Sequence, residues 1–300
     1  MGKIEKYVKD PWKVIVFLKN HRLLSWMSDE SYLRLTYRAA FHKKLNLEHP
    51  QTYSEKLQWL KLYNRIPEYT QYVDKYAVHD FVKERIGEEY LIPLLGVWDS
   101  YKEIDFGSLP DKFVLKCTHD SGGLVICRDK SALNKKAVRK KLEKCLRTNY
   151  YLYSREWPYK DVKPRIIAEP YLVDESGTQL KDYKFFCFDG KVKAMFIATD
   201  RGTDTRFDFY DEKFNHFPMT NGHPNADIPP KKPDGFEKMK QLAEKISVGM
   251  PHARIDFYDC KGKVYFGEIT LFHWSGLVPF EPEEYDKKFG DWIRLPDKTV

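Results

Sequence analysis

"ARIDFYDCKGKVYFGEIT", residues 253–270, reads as two strands joined by a glycine-bearing turn. Gly262 supplies the left-handed backbone such a turn needs without a side-chain clash. With Cys260-Lys261-Gly262 as a three-residue loop, Asp259 faces Lys263, Asp256 faces Phe266 and Arg254 faces Glu268. Arg254, Asp256, Glu268 and Thr270 then share one face, and Ile255, Phe257, Tyr265 and Ile269 share the other. The apolar face belongs in a core. The polar face carries two carboxylates, which repel unless a cation lies between them or one is protonated. Oxygen donors on strands suit Mg²⁺, which takes its remaining oxygens from water and from nucleotide phosphates. The plainer alternative is an exposed hairpin with Arg254 paired to Glu268 for a fraction of a kcal/mol.

Outward from this hairpin the chain alternates like a series of short strands, at 113–118, 124–127, 165–168, 183–188 and 191–198. The turns "FDGK" and "YDCKGK" join sequence neighbours, so the sheets are expected to be antiparallel and the fold α+β. Two helices interrupt the strands. One is "NKKAVRKKLEKCLRTNY", with Val138, Leu142, Cys145 and Leu146 as its inner stripe. The other is "FEKMKQLAEKISVG", with Phe236, Met239, Leu242, Ala243 and Ile246 inward. The first 70 or so residues read as helical. Thr52-x-x-Glu55 is a capping box opening a helix with Leu57, Leu60 and Tyr63 on one face. "DKYAVHDFVKERIG" is a further helix, with Gly87 ending it. Residues 201–233, rich in His, Asn, Asp and Pro, read as a long loop of the kind that carries function.

The 300 residues hold 42% hydrophobic side chains, enough for a substantial core. The net charge of +7 suits an anionic ligand without choosing among nucleotide, acidic sugar, nucleic acid or membrane surface. Five scattered cysteines form no C-x-x-C pair, which argues against a disulfide framework or zinc site. No apolar run approaches the ~18 residues of a membrane span. A cytoplasmic protein is the expectation. No internal repeat, P-loop or G-x-G-x-x-G motif is present.

"KFVLKCTHDSGG" places Lys116 inside an apolar strand and follows it with a Gly-Gly loop. The order of this motif with "VDKYAVHDFVKERIGEEYLIPLLGVWDS", "RIIAEPYL", "KDYKFFCFDGKVK" and the hairpin resembles the ATP-grasp superfamily, most closely its TupA-like branch. That branch is found in surface-polysaccharide gene clusters (capsule, O-antigen) and is often labelled glycosyltransferase. The resemblance spans roughly residues 73–276 and implies two antiparallel-sheet subdomains gripping ATP. It divides the chain into a helical region 1–72, an ATP-grasp domain 73–280 and a C-terminal tail 281–300.

The resemblance also implies roles. Lys75 and Lys116 would hold the nucleotide's phosphates, with Lys184 facing the same ligand. Ser121, Gly122 and Gly123 would form the lid. Glu169 would receive the adenosine end, with Tyr171 and Leu172 at the adenine hinge. Asp256, Glu268 and Thr270 would hold Mg²⁺, although Thr270 stands where the superfamily commonly has an asparagine. Arg254 and Lys116 would act on the reacting phosphate. His119 and Asp120 are either an acid/base pair or ordinary turn residues. Arg201, Arg206 and His273 are candidates for substrate contact, against surface ion pairing for the arginines and structural burial for the histidine.

The expected activity is an ATP- and Mg²⁺-dependent carboxylate–amine ligase working through an acyl phosphate. By resemblance it joins an amino acid or amine to a uronic acid of a polysaccharide or its precursor. The alternatives are a glycosyltransferase, or a non-catalytic nucleotide- or polyanion-binding protein. Nucleic acid is not an expected partner. The Lys-, Arg-, Trp- and Tyr-rich N-terminal segment reads either as packing against the grasp module or as peripheral contact with a membrane-bound glycolipid.

Overall fold

A computed structural model describes residues 12–120, 122–174, 177, 180–200 and 202–299. The period-two segments form two antiparallel sheets. The first holds β1 (Gly96–Trp98), β2 (Phe113–Cys117), β3 (Leu124–Cys127) and β4 (Ile166–Pro170), in the order β1-β4-β2-β3. The second holds β5 (Asp182–Phe188), β6 (Lys191–Thr199), β7 (Arg206–Asp211), β9 (Ala253–Cys260) and β10 (Lys263–Thr270), in the order β10-β9-β5-β6-β7. A small pair joins β8 (Thr220–Asn221) to β11 (Phe280–Glu281). The α+β expectation holds.

Each sheet buries one face in its own core. Phe113, Leu115, Cys117, Cys127, Ile166 and Ala168 pack with Val138 and Leu142 of the basic helix (Lys135–Leu146). On the larger sheet, Phe185, Ile255 and Phe257 pack with Phe236, Met239, Leu242, Ala243 and Ile246, which are the inward stripe read from the sequence. Elsewhere on this sheet, Phe186 meets Tyr53 of the N-terminal region edge to face (6.4 Å between ring centroids). Thr52 and Glu55 form the capping box of the helix Tyr53–Tyr63, and that helix packs on Glu284–Trp292 near the C-terminus.

Four expectations change. The helix placed over 74–87 begins only at Val78, because residues 74–77 form a turn after a short helix Tyr69–Val73. The basic helix stops at Leu146. The loop 201–233 contains β7, whose alternating Phe207 and Phe209 are buried against β6. The hairpin turn has two residues, Lys261 and Gly262, both in the left-handed region (φ 58° and 84°), so Cys260 pairs with Lys263. That register alone would have put Gly267 opposite Asp256. A bulge between Phe266 and Glu268 absorbs one residue, so Glu268 faces Asp256 and Thr270 faces Arg254. The polar face survives by a different route, but Tyr265 leaves the apolar face: it pairs with Tyr258, and Phe266 stands opposite Phe257 in its place.

Candidate active site

The two sheets turn their other faces toward one cavity of about 1050 Å³. From the first sheet come Val114 and Lys116 of β2, Leu124 and Ile126 of β3, and Glu169 of β4. Alternation dictates this set, since their strand neighbours form the small core. Leu124 and Ile126 are 37% and 48% exposed, an apolar wall suited to a flat ring. Lys116 Nζ donates to Glu169 Oε2 (2.5 Å), so the strand lysine is paired across the sheet inside the cavity, where both side chains are largely buried. Tyr171 and Leu172 follow β4 and line the same end, with Arg128 Nε donating to the Tyr171 hydroxyl (3.2 Å).

The Gly-Gly loop follows β2. Gly122 and Gly123 donate their backbone N–H groups to Asp120 Oδ1 (3.3 and 2.9 Å). Gly123 sits so close to β2 that an added Cβ would lie 2.6 Å from Cys117 Cβ. Lys75, in the turn before Val78, donates its ammonium to the Asp120 carbonyl oxygen and reaches the cavity. Ser121 lies outside the described residues. His119 is buried, and its Nε2 bonds the carbonyl oxygens of Cys145 and Thr148 (3.0 and 3.1 Å) at the end of the basic helix. That contact ties the end of β2 to the basic helix, and Asp120 holds the two glycine N–H groups.

The larger sheet supplies the charged centre. Arg254 forks onto Asp256 through Nε (2.7 Å to Oδ1) and Nη2 (2.8 Å to Oδ2). The same Nη2 reaches Glu268 Oε1 (3.1 Å) and Thr270 Oγ1 (2.9 Å). Lys184, opposite Asp256 in the ladder, donates to Asp256 Oδ2 and stands 3.4 Å from Asp182 Oδ2. Burial pushes the Asp256 carboxyl above its ordinary pKa, against the pull of Arg254 and Lys184. Burial pushes Glu268 the same way, but Lys184, Lys75 and Arg254 outweigh it and hold that carboxyl at about 2. Lys184, Lys75 and Arg254 therefore hold Glu268 ionised, while at the buried Asp256 burial outweighs the pull of Arg254 and Lys184. Carboxylate and hydroxyl oxygens, directly opposed across the ladder with no nitrogen or sulfur donor among them, form a donor set that fits a hard divalent cation.

His273 is fully part of this centre. Its Nδ1 accepts from Arg254 Nη1 (2.7 Å), and Nε2–H donates to Asn221 Oδ1 (3.0 Å). Burial first, then Arg254, holds its pKa far below the ordinary value, so the ring is neutral. Arg206 is held by Asp204 (2.5 Å) and the Asn225 carbonyl oxygen (3.1 Å), outside the cavity wall, and Arg201 lies outside the described residues.

A family model described as TupA-like ATP-grasp matches residues 55–294. The chain belongs to that family. The two antiparallel sheets and their helices are thus those of an ATP-grasp fold. No curated protein matches the chain. Among solved structures it is similar to the ATP-grasp ligase PsnB complexed with minimal precursor, Mg and ADP (12% identity, TM-score 0.39, 73% of this chain and 57% of that one). It is also similar to D-alanine–D-alanine ligase from Helicobacter pylori (13%, 0.45, 83% and 68%). A RimK domain ATP-grasp protein from Sphaerobacter thermophilus gives 10%, 0.43, 77% and 70%. The chain spans little more than half the length of PsnB.

The cavity is also lined by residues that no motif announced: Tyr150, Tyr153, Glu156 and Tyr159, and Phe207, His223 and Trp274. Lys61 is wholly buried, bonded to the lining residues Ser154 and Ser275. One signal for Lys61 was available: it lies four residues after Leu57, on the apolar stripe of a capped helix. Nothing in the spacing of Glu156 or Trp274 marks them.

Proposed function

We propose that this protein is a Mg²⁺- and ATP-dependent carboxylate–amine ligase. The observation that carries the reading is the meeting of Lys116 and Glu169 of one sheet with Lys184, Arg254 and Glu268 of the other around one cavity, with the buried Asp256 paired to Arg254 and Lys184. Glu169, Tyr171 and Leu172 receive the adenosine end, Lys75, Lys116 and Lys184 the phosphates, and the lid 121–123 covers them. Asp256, Glu268 and Thr270 would hold Mg²⁺, which when bound offsets phosphate charge. A carboxylate oxygen of the substrate attacks the γ-phosphorus and the bond to ADP breaks. The amine then attacks the acyl carbon, the C–O bond to phosphate breaks, and the ammonium proton passes to solvent. Arg254 stabilises the charge that gathers on the reacting oxygens, because a fixed guanidinium in a water-poor site needs no reorganisation.

The reading extends to substrate by family analogy: a uronic acid of a surface polysaccharide or its precursor as carboxylate, an amino acid as amine, with 73–280 as the grasp module. The setting is cytoplasmic, with peripheral contact to a glycolipid acceptor. Among the described residues no helix is long and apolar enough to cross a membrane. The test is ADP release from ATP and Mg²⁺ with uronates and amino acids. Release that needs both acceptors, and that Asp256→Ala or Glu268→Ala abolishes, supports the ligase. Sugar transfer from a nucleotide sugar without ATP rejects it.

A further inference from the structure

Trp274 is held in a conformation that a bulky residue seldom adopts. Its φ is 48°, and the next residue, Ser275, has φ 58°. Both lie in the left-handed region, costly for a side chain with a Cβ, and such strain persists only where the surroundings impose it. Here the imposing group is the buried Lys61, which the ligase reading leaves without a task. Its ammonium donates to the Ser275 carbonyl oxygen (2.8 Å) and hydroxyl (2.6 Å), and Gln58 Nε2 donates to the carbonyls of Ser275 and Gly276 (3.0 and 2.9 Å). On the other side Gly222 makes room: a Cβ there would lie 2.9 Å from Trp274 Nε1. Phe207 stacks on the indole (6.2 Å between centroids, 25° between planes), and His223 lies 6.0 Å away.

All this fixing does not bury the ring. Trp274 stays 41% exposed and lines the cavity. A strained turn clamped by a buried lysine, yet leaving its indole bare, is a poor packing device and a good platform. We propose that Trp274 is a stacking surface for a pyranose ring that carries its carboxylate directly on the ring. The indole face is electron-rich and favours the weakly positive C–H face of a sugar, while Ser275 and Thr205 offer hydroxyls beside it. Trp274 adjoins His273 (5.7 Å between ring centroids), whose Nδ1 accepts from Arg254, and both the indole and Arg254 line the cavity, so one sugar acid can meet the indole with its ring and the guanidinium with its carboxylate. The inference rests on the ligase reading for the carboxyl's fate, but not for the binding.

Saturation-transfer NMR with methyl galacturonoside and methyl glucuronoside, without ATP, tests it. Transfer to the ring protons is expected in the wild type, with affinity about threefold to tenfold weaker in Trp274→Ala and largely kept in Trp274→Phe. Trp274→Gly relieves the backbone, so its melting temperature should equal or exceed that of the wild type while sugar contact is lost. Wild-type affinity in both the Ala and Gly variants, or no uronoside contact in the wild type, overturns the proposal. The ligase reading fails separately. Carboxylate-dependent ADP release with hydroxylamine as the amine reports it, and its absence alongside intact uronoside contacts rejects the ligase but leaves the platform.

Discussion

At the scale of single residues, Arg254 decides most. It makes contacts to Asp256, Glu268, Thr270 and His273 that only a planar fork of donors can make together. Arg254→Lys keeps the charge and loses the fork, leaving at least one buried carboxylate oxygen without its donor. ADP release should fall by at least about 100-fold, and urea midpoints should drop as well, because an incompletely paired buried charge is costly. A change in one measurement without the other would show that the fork serves only catalysis or only stability. Gly123→Ala probes the lid, since the new methyl meets Cys117 and the Asp120 carboxylate. Overpacking of this kind costs about 1–3 kcal/mol. The apparent KM for ATP should rise more than kcat falls, as measured by initial rates, if the loop's main task is to cover the phosphates.

At the scale of elements, the hairpin β9–β10 shows how a face is preserved. A two-residue turn gives odd parity between the strands, and the bulge at Gly267 restores it for the last three residue pairs. Deleting Gly267 should therefore remove the bulge and leave Glu268 opposite Asp256, whereas inserting one alanine after Gly267 should move Glu268 opposite Ile255 on the core side and Ile269 to the cavity side. Mg²⁺-dependent nucleotide binding, read by titration of a fluorescent ATP analogue, should be lost in the insertion variant and retained in the deletion variant. Equal binding by the insertion variant would mean that Glu268 is dispensable as a metal ligand. The same hairpin marks the limit of the sequence. Which residues share a face follows from period two alone, so Arg254, Asp256, Glu268 and Thr270 could be grouped correctly. Turn length and bulge cancel in that grouping and were invisible to it. β7 was overlooked because "RFDFYD" sits among turn-forming residues, and only packing against β6 makes it a strand. The partnership of Lys116 with Glu169 joins positions 53 residues apart, and no local pattern announces it. Lys75 looked helical because its neighbours do. Its turn is held from outside, by its N–H on the Thr118 carbonyl oxygen (3.1 Å).

At the scale of the whole molecule, the N-terminal helices and the larger sheet share one core, and His252 lies at their junction. His252 is buried between Tyr53, whose hydroxyl lies 2.9 Å from Nε2, and the Cys187 carbonyl oxygen, 3.1 Å from Nδ1. The ring is neutral, donating from Nδ1 and accepting from the tyrosine. Burial first, with Arg254 adding repulsion, depresses its pKa from 6.5 to about 3. In the unfolded chain the same histidine protonates near its ordinary value, so below pH 6.5 the unfolded state binds the extra proton. Its contribution is complete above 6.5 and is lost as pH falls toward 3, at about 1.4 kcal/mol per unit in the limit. Asp286 works in the opposite sense. It accepts from the Ser54 N–H and hydroxyl (2.8 and 2.9 Å), and burial raises it to about 6. Its contribution is present at low pH and is lost as pH rises through 6. Urea unfolding at pH 7, 5.5 and 4.5 separates the two. His252→Asn should lower stability at pH 7 yet flatten the acid loss, because Asn keeps the bond to Cys187 and does not protonate. Asp286→Asn should steepen that loss, since it removes the group that gains on acidification. If His252→Asn loses stability with pH as fast as the wild type, the acid sensitivity arises elsewhere than at the seam between the helices and the sheet.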